Sequence, residues 1–558
     1  MSNKMIAEIL LKNLIKRIVT LEDGSKQLTG VITDDEFQAL NFLISGFEPD
    51  INTQSLPPAS IQQDPVKSES PHISPNFNLN ESVFDLPSAP TNVRICLDFG
   101  TAMSKATLVE DGDYEIIEVL KLGIPGNQQQ ISEAMLVSSV YINNEGLVWF
   151  GQNAVDQSLA EAIDGNRQRL DNIKRSLSED GLDNKVEGKF NPTDILITYS
   201  DMVLAYLMFF TWTVNKATEE LGYPRNLMRR FAMPCFSKDK ERETINRLKI
   251  MLGKAQILAD TFDDVMHEGI SLIDYVAALN KLKEKKYEYN FILEGLTEPL
   301  GVASSLVSWT KNVNILVMIV DVGAGTSDFS LNRIHIDPTN NKSSGYEIKD
   351  TAVGITEAGN YLDRILIEFI LNKAGITSDN PSAIKIRSEL ELSIRNYKES
   401  IFNDKEVYIA LPRYDIETEI SLNDFLEHET VKSFGRSLKS TLKNILEAID
   451  ISWMEWVRAH PSRRLVIALT GGGADLPMVR ELASSDIEVN GFRVPVSLAN
   501  SFPTWLHDDY PDLEQDYARI AVSLGGARNR MIQLKGPVTI TAGDIIETPV
   551  LGGYFTKG

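Results

Sequence analysis

Four acidic residues in this 558-residue chain stand where apolar runs meet glycine-rich turns or a small-residue helix. The first turn reads Asp98-Phe-Gly-Thr-Ala-Met-Ser104, followed by Lys105 and a second strand over 106–109. Gly100 lets the backbone approach a ligand closely, and free N–H groups at Gly100, Thr101 and Ala102 can cradle phosphate oxygens. Asp98, at the strand end, can hold a cation through water. Taken alone, an Asp-x-Gly-Thr turn is more often just a hairpin. The second turn reads Asp321-Val-Gly-Ala-Gly-Thr-Ser-Asp328. It repeats that logic at Gly323, Ala324, Gly325 and Thr326 and adds an acid. Two carboxylates flanking a glycine turn suit a hydrated magnesium ion and a water-positioning group. The run 315–320 before it is wholly apolar, which predicts a buried strand opening into a site and not a surface hairpin.

A third corner, Leu469-Thr-Gly471-Gly472-Gly473-Ala-Asp-Leu-Pro477, joins an apolar run to a helix with proline in its first turn. Three glycines there leave room for a flat base or ribose against the backbone. The fourth element is Glu298-Pro299, ahead of a helix of small residues. It leaves the Glu298 carboxylate at a helix start, where it can face a site. Other chemistries find no support. There is no Walker A pattern, no Gly-x-Ser-x-Gly elbow, and the six histidines show no metal-ligand spacing.

These residues need elements to position them. Strand-like runs at 93–97, 315–320 and 465–469 alternate with helical stretches at 200–221, 239–253, 357–374, 382–402 and 430–459, which is an α/β pattern. The segments around Asp98 and Asp321 share one form: apolar strand, Asp, x, Gly, small residues, Thr. A unit used twice, over 200 residues apart, suggests two related lobes facing one ligand. Before this body, residues 1–48 read as a small helical module, with Ile6, Leu10, Leu14 and Ile18 on one face and a capping box at Thr33 and Glu36. Residues 49–90 hold eight of the 23 prolines and read as a flexible linker. Its apolar residues Phe77, Leu79, Val83, Phe84 and Leu86 are able to dock as a strip. Residues 536–558 read as a short β-like tail.

Composition narrows the class. The formal net charge is −23, so direct nucleic-acid or membrane-surface binding is not expected. The longest apolar run, 202–210, is far short of the ~20 residues of a membrane span, and the expected location is cytoplasmic. Two cysteines, Cys96 and Cys235, are read as small core residues in a reducing compartment.

In this order the four elements resemble the actin and heat-shock protein ATPase superfamily, most closely the nucleotide-binding domain of heat-shock protein 70 (DnaK-type). Asp98–Ser104 looks like its first phosphate loop, Asp321–Asp328 like its second, and Thr470–Pro477 like its adenosine loop. Phe231-Ala-Met-Pro234 with Asp239-x-x-Arg242, Gly359-Asn-Tyr-Leu-Asp363 and Ile520-Ala-Val-Ser-Leu-Gly-Gly-Ala527 resemble further segments of that domain. The resemblance covers about 93–530. It implies a two-lobed actin-like ATPase with duplicated ribonuclease H-like lobes. Lobe I covers 91–310 and lobe II 311–515, and a helix over 516–535 returns to lobe I. ATP or ADP and Mg2+ are the implied ligands. Asp98 and Asp321 would hold the metal through water, and Asp328 with Glu298 would orient the attacking water. Gly100–Ala102 and Gly323–Thr326 would cradle phosphates, Lys398 and Gly471–Gly473 would face the nucleoside, and Gly359, after the second phosphate loop, would also contact the nucleotide.

Three positions depart from the family pattern. Val155 stands where a phosphate-positioning lysine is usual, with Lys174 or Arg175 as candidate substitutes. Asp475 stands where an arginine often stacks on adenine, and Arg395 takes the place of an acid one turn before Lys398. The peptide-binding half of that family does not fit in the 28 residues after Arg530. The expectation is therefore a slow, Mg-dependent ATPase acting as a nucleotide-driven switch for a protein partner, engaged through 1–48, with self-association open. The alternatives are a bacterial-actin-like filament former and a nucleotide-binding pseudo-ATPase scaffold. A sugar or acid kinase of the same superfamily is disfavoured by Glu298-Pro299 and Asp328.

Overall fold

The computed structural model describes residues 18–20, 26–28, 78–123, 132–161, 168–178, 181–235, 238–340, 342–377, 379–461 and 463–533. The chain divides into two units, Met1–Ser70 and Pro71–Gly558. In the first, Ile18–Thr20 pairs antiparallel with Lys26–Leu28. This corrects the end of the expected N-terminal helix, because Ile18 opens a strand. The Ile-Val-Thr run is β-branched throughout, and Asp23-Gly24 between the strands is a turn-forming pair. Ile6, Leu10, Leu14, the Thr33/Glu36 capping box, residues 49–77 and the 536–558 tail lie outside the described residues.

The second unit is mixed α/β. Its first sheet is built on Val93–Asp98, buried along its whole length. On one side Met103–Asp111 and then Glu115–Val119 add antiparallel. On the other, Met228–Met233 and then Ile292–Thr297 add parallel. The second sheet repeats this plan around Val313–Val322. Ser327–Asp337 and Lys342–Glu347 add antiparallel on one side, and Leu465–Thr470 and Val496–Leu498 add parallel on the other. With each set of five numbered along the chain, both sheets run in the order 3-2-1-4-5 with the same strand senses. Even the extra short strands correspond: Leu136–Val137 and Val353–Ile355 each pair antiparallel with the second strand of their own sheet. The repeated Asp-x-Gly form thus marks the end of the first strand in each sheet. Central strands covered on both faces are largely apolar, which is why 93–97, 315–320 and 465–469 were legible as strands; the charged exception, Arg94, is buried against Asp111.

After its fifth strand each sheet is followed by a helix, Glu298–Leu306 in one case and Tyr517–Ala527 in the other. Both helices touch both sheets, and with Val317, Ile319 and Ala468 on one side and Cys96, Ala232 and Leu296 on the other they form the core between them. The helices cross backbone to backbone. A Cβ on Gly525 would lie 1.8 Å from the Gly301 carbonyl oxygen, so only glycine permits this approach. The outer faces are covered by Tyr199–Glu220 and Lys238–Thr261 on the first sheet, and by Gly359–Lys373, Ala383–Asp404 and Glu429–Ala448 on the second. Thr198 and Asp201 close a capping box on Tyr199–Glu220.

Two expectations change. The helix expected over 430–459 is two, Glu429–Ala448 and Ser452–Arg458, because the Asp450 side chain accepts from Ser452 N at 2.9 Å and restarts the chain. The linker expected to run to residue 90 is docked from Asn78 onward. Val83 is buried, Leu79 packs on the first core, and the Phe84 ring stacks on Tyr287 with centroids 5.6 Å apart. Phe77 lies outside the described residues, and Leu86 is exposed. Cys96 and Cys235 are both free. Among the described residues no helix is long and apolar enough to cross a membrane.

Candidate functional site

A cleft of about 640 Å³ lies where the first strands of the two sheets end, a size that suits a small organic ligand. Its walls bring together all three glycine turns: Gly100, Thr101 and Ala102; Gly323, Ala324, Gly325 and Thr326; Gly471, Gly472 and Gly473. Asp98, Glu298, Asp321, Gly359 and Lys398 line it as well. Asp328 does not line it. It is fully buried behind the second turn, where its Oδ1 accepts from Cys235 N at 2.8 Å.

The first two glycine turns are both hairpin turns. Asp98 stands opposite Lys105 in one and Asp321 opposite Asp328 in the other. The expected contrast between a hairpin and a site at a strand end therefore dissolves: the second turn is a hairpin whose half-buried tip lines the cleft. The two tips abut. A Cβ on Gly325 would come within 2.5 Å of Thr101 Oγ1. The second tip is also pinned from behind, since Gly359 N donates to Gly323 O at 3.0 Å and Asn360 N to Ala324 O at 2.7 Å. The third turn is held by Gly471 N to Ala518 O at 2.8 Å and Gly473 N to Val322 O at 2.9 Å. At Gly471 (φ +82°) an added Cβ would lie 2.4 Å from Asp321 Oδ1, so this corner presses directly against an acid of the site.

The charges are crowded. Asp98, Glu298, Asp321 and Asp328 are all buried. Lys105 Nζ lies 3.2 Å from Asp98 Oδ2, and Lys174 Nζ donates to Glu298 Oε1. Burial, followed by the charges of Glu298, Asp328 and Asp98, pushes the Asp321 carboxyl well above the usual carboxylate range. Burial and Glu298 raise Asp328 too. For Lys174, burial works downward, but Glu298 and Asp98 outweigh it and hold the ammonium above its ordinary value. Such an excess of buried carboxylate is stabilised by added positive charge.

A divalent cation with bound water meets that need. Among the described residues no cluster of three or more His, Cys, Asp or Glu could hold a metal ion directly. Asp98 and Asp321, which line the cleft, are the carboxylates that could hold a magnesium-like ion, whose other positions would go to water and substrate oxygens. The glycine turns offer the backbone cradle for those oxygens.

The departures from the family pattern find places. Val155 lies on the helix Gly151–Glu161 and is not part of the cleft wall, whereas Lys174 lines it. Asp475 lines the cleft and accepts from Arg480 Nη2 at 2.5 Å. Arg395 lines it beside Lys398, whose Nζ lies 2.7 Å from Asp363 Oδ1 and donates to Gly359 O at 3.1 Å. Asn360, Lys405 and Arg519 also line the cleft. Asn360 falls within the Gly359–Asp363 segment, but no spacing in the sequence marks Lys405 or Arg519, which are brought in from separate elements. Among known proteins, no family model matches the chain, and no curated protein matches it.

Proposed function

We propose that the chain is a heat-shock protein 70-like ATP-binding protein with a two-lobed, duplicated actin-like fold. In this reading it is a slow Mg-dependent ATPase, in a cytoplasmic setting, whose lobes close on nucleotide and signal to a protein partner. One observation carries the reading: the same 3-2-1-4-5 sheet occurs twice, and the equivalent hairpin tips Gly100–Ala102 and Gly323–Thr326 meet in one cleft with Asp98, Asp321 and Glu298. Ligands of open α/β sheets sit at the carboxyl ends of strands.

The N–H groups of the two tips would bind phosphate oxygens, and the Gly471–Gly473 corner would receive base and ribose. Asp98 and Asp321 would hold magnesium through water. When bound, that ion would neutralise charge on the phosphate oxygens. Glu298, which accepts a hydrogen bond from Lys174, would orient a water. Asp328, buried behind the tip, would set the charge of that wall without touching the ligand, a narrower role than the water-orienting one expected for it. Lys174 stands among the acids although Val155 lacks the amine, and this supports turnover over a silent scaffold. Residues 1–48 remain the proposed partner-binding module.

Phosphate release from Mg-ATP by the full chain and by Glu298→Gln tests the reading. Slow release in the parent, lost in the variant while nucleotide still binds, is expected. Equal release from both would reject Glu298, and no release from the parent would reject the enzyme.

A further inference from the structure

The segment 168–174 is rooted in the first-sheet half of the molecule. Leu170 bridges Val140, Arg169 Nη1 donates to Ser158 Oγ at 2.6 Å, and Ser139 Oγ donates to Asp171 Oδ1 at 2.7 Å. Its other contacts reach the second half. Gln168 Nε2 donates to Glu391 Oε2 at 2.6 Å, and Arg169 Nη2 donates to Leu392 O at 3.3 Å. Asn360 Nδ2 donates to Asn172 Oδ1 at 2.8 Å. The segment then ends on Lys174, in the acid cluster.

We infer that 168–174 is a latch that couples closure of the two halves to the placement of Lys174. Gln168, Asn172 and Glu391 act as positioning residues: they touch neither phosphate nor the reacting water and work through Lys174. Three cross-cleft hydrogen bonds exist only while the halves are closed. Opening removes the three second-half tethers, so that the segment keeps only its first-half contacts and the approach of Lys174 to Glu298 is held less tightly. A ligand that favours the closed state would therefore also favour the placed lysine. The inference rests on the nucleotide reading for its consequence and on these contacts alone for its geometry.

Two readouts on the full chain test it, one of them free of nucleotide. Lys174 labelling by a small amine-acylating reagent, read by mass spectrometry, should rise several-fold in Glu391→Ala. Glu391→Gln, which keeps an acceptor for Gln168, should restore parental protection. ADP release should accelerate roughly fivefold in Glu391→Ala, the factor carried by one ordinary hydrogen bond, and return with Glu391→Gln. Asn172→Ala repeats the test from the other contact should Glu391→Ala fold poorly. Unchanged Lys174 labelling in Glu391→Ala and Asn172→Ala would overturn the latch. Raised labelling in chains that bind no nucleotide would keep the latch and reject the nucleotide reading instead.

Discussion

Lys174 Nζ donates a hydrogen bond to Glu298 Oε1 across 124 residues of sequence, and both groups are buried. The lysine feels three carboxylates, Glu298, Asp98 and Asp328, and approaches from a segment tied to both halves of the cleft. Lys174→Ala should leave Glu298 buried without its cation, lowering the free energy of unfolding by ~3 kcal/mol. Turnover should fall roughly a hundredfold, the size of effect seen when one preorganised electrostatic group is lost. Denaturant titration and phosphate release measure the two. Turnover within twofold of the parent would remove Lys174 from the site.

Two glycines to which the same substitution can be made should answer differently. At Gly325 an added methyl meets Thr101 Oγ1 at 2.5 Å, the end of a side chain across the cleft. Gly325→Ala should push the two tips apart, weakening nucleotide binding about tenfold or more with little change in melting temperature. At Gly525 the methyl meets the Gly301 carbonyl oxygen, which has no room to move. Gly525→Ala should cost ~3 kcal/mol of stability through overpacking. Calorimetric binding and thermal denaturation of both variants separate the effects.

Asp328 gives a pH dependence. Burial and the Glu298 charge raise its carboxyl to about 7, above the ~3.9 of an unfolded aspartate. The native state therefore binds the extra proton between those values, and stability falls as pH rises from about 4 to 7. Asp328→Asn removes this group. In denaturant titrations without nucleotide, the variant should lose less stability than the parent between pH 5 and pH 8. Identical losses would mean that Asp328 ionises freely.

The docked segment after Asn78 sets a truncation boundary. A chain beginning at residue 78 should melt with the full chain's second unit. One beginning at residue 92 loses buried Val83 and the Phe84–Tyr287 stack, worth ~3 kcal/mol of apolar burial, and should melt earlier. Differential scanning calorimetry of the two distinguishes them. Equal melting would restore the segment to a free linker.

Much of the site was legible because glycine turns after apolar runs are local features. Asp98, Asp321 and Gly471–Gly473 carry their chemistry within a few residues, and the sheets place them at strand ends. The shared strand order was visible only as the echo around Asp98 and Asp321, since pairing partners such as Leu465–Thr470 lie more than a hundred residues away. Asp328 looked like a site-facing acid because it flanks the turn. It stands directly opposite Asp321 in the hairpin, yet the chain around Cys235 covers it: its Oδ1 accepts from Cys235 N and it is fully buried off the cleft wall. Gln168, Asn172 and Glu391 had no signal at all, for their contacts span about 190 to 220 residues. The break before Ser452 turned on one aspartate side chain, which helix periodicity does not register.

The central claim is that the cleft between the two repeated sheets binds ATP with magnesium. Calorimetric titration of the full chain with ATP, with and without Mg2+, measures this directly. The account predicts saturable binding at a single site that weakens when Mg2+ is removed and when Asp321 is changed to Asn. It also predicts thermal stabilisation equivalent to ~2.7 kcal/mol at a hundredfold excess over the dissociation constant. No heat and no melting shift at millimolar Mg-ATP would contradict it.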